Sequence, residues 1–148
     1  MGKSGYVQFD LLKFLDSSNT MIIPNGYFNG KYIASFNISN NGVLKSIVIG
    51  DNCFENGRVF ELDGLSELES VVIGKESFWI SDYERNDGSY RIVNCPKLKS
   101  IQIGYESFYD YHSFELNNLP SLQSIDIGVR CFYWTPLFSL TSVIDGMV

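Results

Sequence analysis

The residues best suited to chemistry in this chain are few, and their spacing argues against most of what they could do. His112 is the only histidine, and Asp110 stands two residues before it in "YDYHSF". A histidine oriented by a carboxylate serves as general base for a serine or cysteine nucleophile. No such nucleophile is paired with this couple, so a triad would need distant contacts; a solvated or aromatic-edge histidine is expected instead. "GKS" at Gly2–Ser4 matches only the tail of a phosphate-binding loop, without the upstream glycine or the preceding strand. Cys53, Cys95 and Cys131 lack CxxC spacing and are odd in number, which fits reduced, buried thiols better than a disulfide framework. No histidine joins them for zinc. Asn37-Ile38-Ser39 is a glycosylation sequon that matters only in a secreted chain. The expectation is a protein without catalytic residues, metal or cofactor.

Bulk properties narrow the class further. A chain of 148 residues, 45% hydrophobic and 15% aromatic, fits one folded domain with a sizeable core. A net charge of −6 disfavours nonspecific attraction to nucleic acid or an anionic membrane. No apolar run approaches a membrane span. "MGKSGY" lacks the Ser or Thr that a myristoylation start wants at position 6, and no leader peptide is visible. These features and the odd cysteine count lean toward the cytoplasm without fixing the compartment.

What must position any functional side chain is a repeat. "LKSIVIGDNCF" from Leu44 returns as "LESVVIGKESF" from Leu68, "LKSIQIGYESF" from Leu98 and "LQSIDIGVRCF" from Leu122. Ile49, Ile73, Ile103 and Ile127 are spaced 24, 30 and 24 residues, the longer unit carrying extra residues inside "WISDYERNDGS". "SNTMIIPNGYF" is a fainter first copy that adds Ile23 and Phe28. A second phrase recurs at Phe36, Phe60, Tyr90, Phe114 and Phe138, followed two residues later by Ile38, Leu62, Ile92, Leu116 and Leu140. Period-two alternation in β-branched company predicts strands with one buried face. Two strands per unit, with no helical period between them, predict a coil whose turns stack about 4.8 Å apart. Pro24, Gly50, Gly74, Gly104 and Gly128 then mark one corner, where side chains would crowd. Asn40, Gly64, Asn94 and Asn118 mark a second, where left-handed backbone is tolerated. Cys53 and Cys131, three coils apart in one column, stand about 14 Å from each other on this spacing.

Leu98, Ile101, Ile103 and Phe108 occupy the four leucine positions of L-x-x-L-x-L-x-x-N-x-L, and Leu122, Ile125, Ile127 and Phe132 do so again. The chain thus resembles the leucine-rich repeat family over roughly residues 18 to 145. With Pro24 after Ile23, it looks most like the isoleucine-rich class of bacterial and protist surface antigens. The resemblance implies a mainly β, α/β-horseshoe-like solenoid: a right-handed coil of 24-residue units with a parallel sheet and short second strands on the back. It also implies protein–protein or adhesive recognition, and a possible cell-surface location. The family's asparagine position carries Gly26, Asn52, Glu76, Glu106 and Arg130, so a continuous asparagine ladder is not expected.

Residues 1–17 lie outside the repeat. Val7, Leu11, Phe14 and Leu15 fall on one helical face, predicting an N-terminal helical cap before about five coils over 18–148. Two surfaces could bind. The outward positions of the inner sheet include Lys45, Glu69, Lys99, Gln102 and Asp126; they form either a recognition face or a self-satisfied one with alternating charges and stacked hydroxyls. The loops after the Phe column hold Trp79, Tyr83, Arg85, Tyr109, Tyr111, Tyr133 and Trp134, aromatic anchors of the kind favoured at interfaces. The reading is a non-catalytic module with a protein or peptide partner. A carbohydrate-binding or carbohydrate-cleaving β-helix, using Asp82, Glu84, Asp110 and Asp126, is one alternative. A structural segment that self-associates through its C-terminal coil is another, since an uncovered sheet edge is a template for pairing.

Overall fold

The computed structural model describes residues 6–7, 11–30, 33–80, 87–133 and 135–141, with residues 6, 7, 33 and 34 as backbone only. In chain order the elements are β1 (Tyr6–Val7), a 3₁₀ helix (Leu11–Phe14), β2 (Thr20–Ile23), β3 (Ile33–Ser39), β4 (Ser46–Ile49), β5 (Val59–Asp63), β6 (Ser70–Ile73), β7 (Gly88–Val93), β8 (Ser100–Ile103), β9 (Tyr111–Asn117), β10 (Ser124–Ile127) and β11 (Leu137–Thr141). Strands alternate between two parallel sheets, one ordered β2-β4-β6-β8-β10 and the other β1-β3-β5-β7-β9-β11. The chain is therefore a β-solenoid, and the stacking expected from the columns is realised. Ile49 pairs with Ile23 and Ile73, Ile103 with Ile73 and Ile127. Apart from the two-residue β1, the back strands run five to seven residues, longer than the four of β2, β4, β6, β8 and β10. The F-x-L phrase pairs beyond both of its apolar residues, as Ser35–Val59 and Ser39–Asp63 do.

Like packs on like inside. Phe28, Phe54, Phe78, Phe108 and Phe132 form one continuous stack with centroid spacings of 4.9, 4.7, 4.7 and 5.2 Å. Phe36, Phe60, Tyr90, Phe114 and Phe138 form a second, at 5.2, 4.8, 4.9 and 4.3 Å. The two stacks meet edge to face, as between Phe60 and Phe78 at 5.5 Å. Each buried ring contributes about 1.5–3 kcal/mol by area, and about 0.5–1.5 kcal/mol more by ring geometry.

That gain holds an unusual backbone. Every Phe of the first stack sits at positive φ, between 53° and 64°. The residue two before it does so too: Gly26, Asn52, Glu76, Glu106 and Arg130. A bulky residue there costs roughly 1–3 kcal/mol. The conformation aims the amide along the coil axis: Phe54 N–H donates to Tyr27 O at 3.0 Å and Phe78 N–H to Cys53 O at 2.8 Å. Burial, stacking and the hydrogen bond together exceed the strain. The second corner is left-handed as expected at Asn40, Gly64, Asn94 and Asn118.

Glycine at the first corner answers to space, not to dihedral. A Cβ on Gly74 would lie 2.7 Å from Asp51 N and from Gly50 C, and one on Gly104 would lie 2.6 Å from Lys75 N. Each glycine lets one coil rest on the backbone of the coil before it.

The N-terminal expectation is corrected. Tyr6–Val7 is a strand that pairs in parallel with Ile33–Ala34, and among the described residues of this segment only Leu11–Phe14 is helical, as a single 3₁₀ turn. A helix this short is marginal in water, and the open edge of β3 offers backbone partners to Tyr6–Val7 in its place. The covering role survives in the 3₁₀ segment. Leu11 is 7% exposed within the core cluster, and Phe14 packs edge-on to Phe28 at 5.7 Å. Asp16 closes the following turn by accepting from Ser18 N, Thr20 N and Ser18 Oγ at 2.8, 3.0 and 2.7 Å.

Candidate functional site: the aromatic edge of the coil

The corner between the two sheets carries a ladder of small polar side chains. Ser77 Oγ donates to Gly50 O at 2.9 Å, and Ser107 Oγ to Gly74 O at 2.7 Å. Cys53 Sγ and Cys131 Sγ do the same to Pro24 O and Gly104 O at 3.1 and 3.0 Å. Each hydroxyl also accepts from the coil before: Cys53 N–H binds Ser77 Oγ at 3.1 Å, and Ser77 N–H binds Ser107 Oγ at 3.0 Å. A buried carbonyl or amide left unpaired costs about 1–3 kcal/mol, so this ladder does at the corner what pairing does in the sheets. It stands one residue after the position where the leucine-rich repeat carries asparagine. Burial pushes all three thiols up from their ordinary range.

The ladder shapes the surface. Cys53–Phe54 and Ser77–Phe78 turn inward and are fully buried, while their flanking residues stay accessible. Asn52, Glu76, Glu106 and Arg130 stand just before the buried pairs and form one lip; Asn29, Glu55, Trp79, Tyr109 and Tyr133 stand just after the phenylalanines and form the other. Between the lips, across the first three coils, a furrow opens into a cavity of about 380 Å³ lined by Asn29, Asn52, Glu55, Glu76 and Trp79. Asn29 braces this end, accepting Glu55 N–H at 2.7 Å through Oδ1 and donating to Asn52 O at 2.5 Å through Nδ2.

Beyond the cavity the lip is aromatic. Trp79 and Tyr109 are tilted at 6.0 Å, and Tyr109 and Tyr133 are stacked at 5.4 Å with planes 2° apart. Trp79 and Tyr109 are partly buried, whereas Tyr133 is 52% exposed. The indole Nε1 of Trp79 is shielded from solvent and has no hydrogen-bond partner among the described residues. Of the loop residues singled out in sequence, Trp79, Tyr109 and Tyr133 are thus brought together. Tyr83, Arg85 and Trp134, with Asp82 and Glu84, lie outside the described residues.

Tyr111 is not a surface residue, and that expectation is corrected. Its ring is fully buried, in edge contact with Phe108 at 4.9 Å, and its hydroxyl donates to Gly57 O at 2.7 Å. The cause is the irregular pairing at Gly88–Ser89, where Gly88 faces Tyr111 but Ser89 faces Ser113. The extra residue turns the tyrosine inward. Gly88 makes room for it, since a Cβ there would lie 2.6 Å from Tyr111 Cδ1.

The outward face of the inner sheet is largely occupied with itself. Ser70 Oγ donates to Ser46 Oγ at 3.0 Å, and Lys99 Nζ lies 3.6 Å from Glu69 Oε1. Gln102 and Asp126 are exposed in separate strands and Lys45 is exposed just before β4; among the described residues none of the three has a side-chain hydrogen bond or ion pair. On the back sheet Arg91 bridges Glu61 and Glu115 on the adjacent strands at 2.8 and 2.9 Å, and the first of these contacts leads in holding its guanidinium charge.

The remaining chemical suspects do not assemble. Asp110 is 8% exposed, its carboxyl is pushed up by burial, and among the described residues neither its Oδ2 nor the shielded Nδ1 of His112 has a hydrogen-bond partner. Among the described residues no group of three or more His, Cys, Asp or Glu side chains is placed to hold a metal, and no helix is long and apolar enough to cross a membrane. Asn37 and Ser39 of the sequon are exposed on β3. No family model, curated protein or solved structure matches the chain.

Proposed function

We propose that this chain is a non-catalytic recognition module of leucine-rich-repeat type that binds a protein or peptide through the aromatic edge of the coil. The observation that carries this reading is the Trp79–Tyr109–Tyr133 lip beside a 380 Å³ cavity. Half-wet aromatic rings in register on a rigid corner are anchors with little conformational entropy left to lose on binding. The inner sheet, the usual face in the resembled family, is the weaker choice because its serines and its Lys99–Glu69 pair already engage one another. The test is to select peptides from a random display library on the whole chain. Selected peptides bind Trp79→Ala/Tyr109→Ala at least tenfold more weakly and bind Gln102→Ala/Asp126→Ala unchanged. The opposite ranking moves the site to the sheet, and no loss in either variant removes the proposal.

A second reading has one observation behind it. In β11 Leu137, Phe138 and Leu140 are 57%, 56% and 56% exposed, so the last described coil offers apolar surface for self-association. Sedimentation over a hundredfold range of concentration decides it, a constant monomer mass excluding this role.

A further inference from the structure

We infer that the cavity beside Trp79 receives a basic side chain, lysine or arginine, from the bound peptide. This rests on the reading of the edge as a recognition surface. Two carboxylates, Glu55 and Glu76, line the cavity from opposite lips, and the indole of Trp79 stands with them. Neither carboxylate has a cationic partner among the described residues, whereas most glutamates on these coils have one. Glu61 and Glu115 hold Arg91, Glu67 holds Lys97, Glu69 faces Lys99, and Glu106 holds Arg130. Cations close in sequence or along the same rows are engaged elsewhere: Lys75 Nζ lies over the Tyr105 ring at 5.6 Å, Arg58 is paired with Asp87, and Arg130 Nη1 is on Glu106 at 3.3 Å. The cavity is therefore locally anionic, in a chain of net charge −6.

An aromatic wall with flanking carboxylates suits an alkyl stem that ends in a cation. The stem lies along the ring while the head takes charge-assisted hydrogen bonds. Asn29 Nδ2 and Oδ1 are already bonded to Asn52 O and Glu55 N–H, so the amide stiffens the mouth and leaves the carboxylates to bind. A neutral or acidic side chain would leave both charges unanswered, and an acidic one would be repelled.

The strongest peptide from the display selection is remade with each Lys or Arg replaced in turn by norleucine, and tested on the native chain and on Glu55→Gln/Glu76→Gln. One basic residue is required. Its replacement and the double Gln variant each weaken binding about tenfold, and together they cost little more than either alone. A thermal melt matching the native chain confirms that the Gln variant is folded. A peptide that depends on Trp79 but tolerates every norleucine, or binds the Gln variant unchanged, overturns the basic-residue inference and leaves edge recognition standing. A selection yielding no peptide that depends on Trp79 removes both. Retention of a neutral glycan by the double Gln variant, with no basic peptide selected, also overturns it.

Discussion

The hydroxyl of Ser77 lies 2.9 Å from the Gly50 carbonyl and donates to it across the gap between two coils. The same oxygen accepts Cys53 N–H at 3.1 Å, so one small side chain ties the second coil to the third twice. Ser77→Ala leaves a buried carbonyl and a buried amide without partners, and unfolding in urea should show a loss of about 1–3 kcal/mol. Ser77→Cys, the residue nature places at 53 and 131 in this column, should lose clearly less. Equal losses would mean that the ladder is a by-product of stacking and not a cause of it.

The corner glycines make a paired prediction. Gly74→Ala drives a Cβ to 2.7 Å from the Asp51 amide nitrogen, a backbone atom that cannot rotate away. Overpacking of this kind costs about 1–3 kcal/mol. Gly30→Ala, with nothing within 4 Å of the added carbon, should stay within about 0.5 kcal/mol of the native chain. Melting both variants beside the parent separates crowding from a general intolerance of alanine at turns.

Tyr90 is the odd member of a phenylalanine column. Its ring stacks on Phe60 and Phe114 at 4.8 and 4.9 Å, but its hydroxyl is buried with no hydrogen-bond partner among the described residues. Tyr90→Phe keeps the stack and removes the stranded group, so denaturant unfolding should show a gain of about 1 kcal/mol. A loss would reveal a partner for that hydroxyl.

Stability should fall on the alkaline side. Burial holds the phenols of Tyr90 and Tyr111 and the thiols of Cys53, Cys95 and Cys131 protonated beyond their ordinary range. The unfolded chain releases these protons first, from about pH 8.5 for thiols and about 10 for phenols. Their contribution is fully present below that window and is lost as pH rises through it. The urea midpoint should therefore be flat from pH 7 to 8 and drop by pH 10. Iodoacetamide should label Cys53 and Cys95 slowly until urea is added.

What the sequence made legible was the part written in one alphabet. Ile, Leu and Phe recur at fixed offsets because like residues stack on like, and the registers of the inner sheet follow directly. The Ser/Cys ladder was hidden because its members look chemically unrelated; their shared property is a small donor–acceptor group, which a search for hydrophobic columns does not weigh. Left-handed backbone at the Phe column escaped for a similar reason, since a phenylalanine accepts that conformation only when its neighbours in the stack hold it. Tyr111 was misplaced because the bulge at Gly88–Ser89 arises where the long third unit rejoins the next coil, a pairing that no local pattern contains. At the edge, Trp79, Tyr109 and Tyr133 were legible as aromatic residues that each follow a member of the Phe column. Glu55 and Glu76 were not, because they belong to different positions in the repeat and meet only across the furrow.

The aromatic edge exists only where coils lie directly over one another, and one distance tests that stacking best. Asn37, Glu61, Arg91, Glu115 and Ser139 are successive partners across the back sheet. Asn37 and Ser139 are both exposed, so a Cys–nitroxide pair can be attached there without touching the core, once the native cysteines are protected by their burial or replaced. Electron–electron distance spectroscopy should give one narrow peak near four strand spacings, about 19 Å before label length is allowed for. A broad distribution, or a peak beyond about twice that value, would contradict the stacked coil and with it the edge that the coil builds.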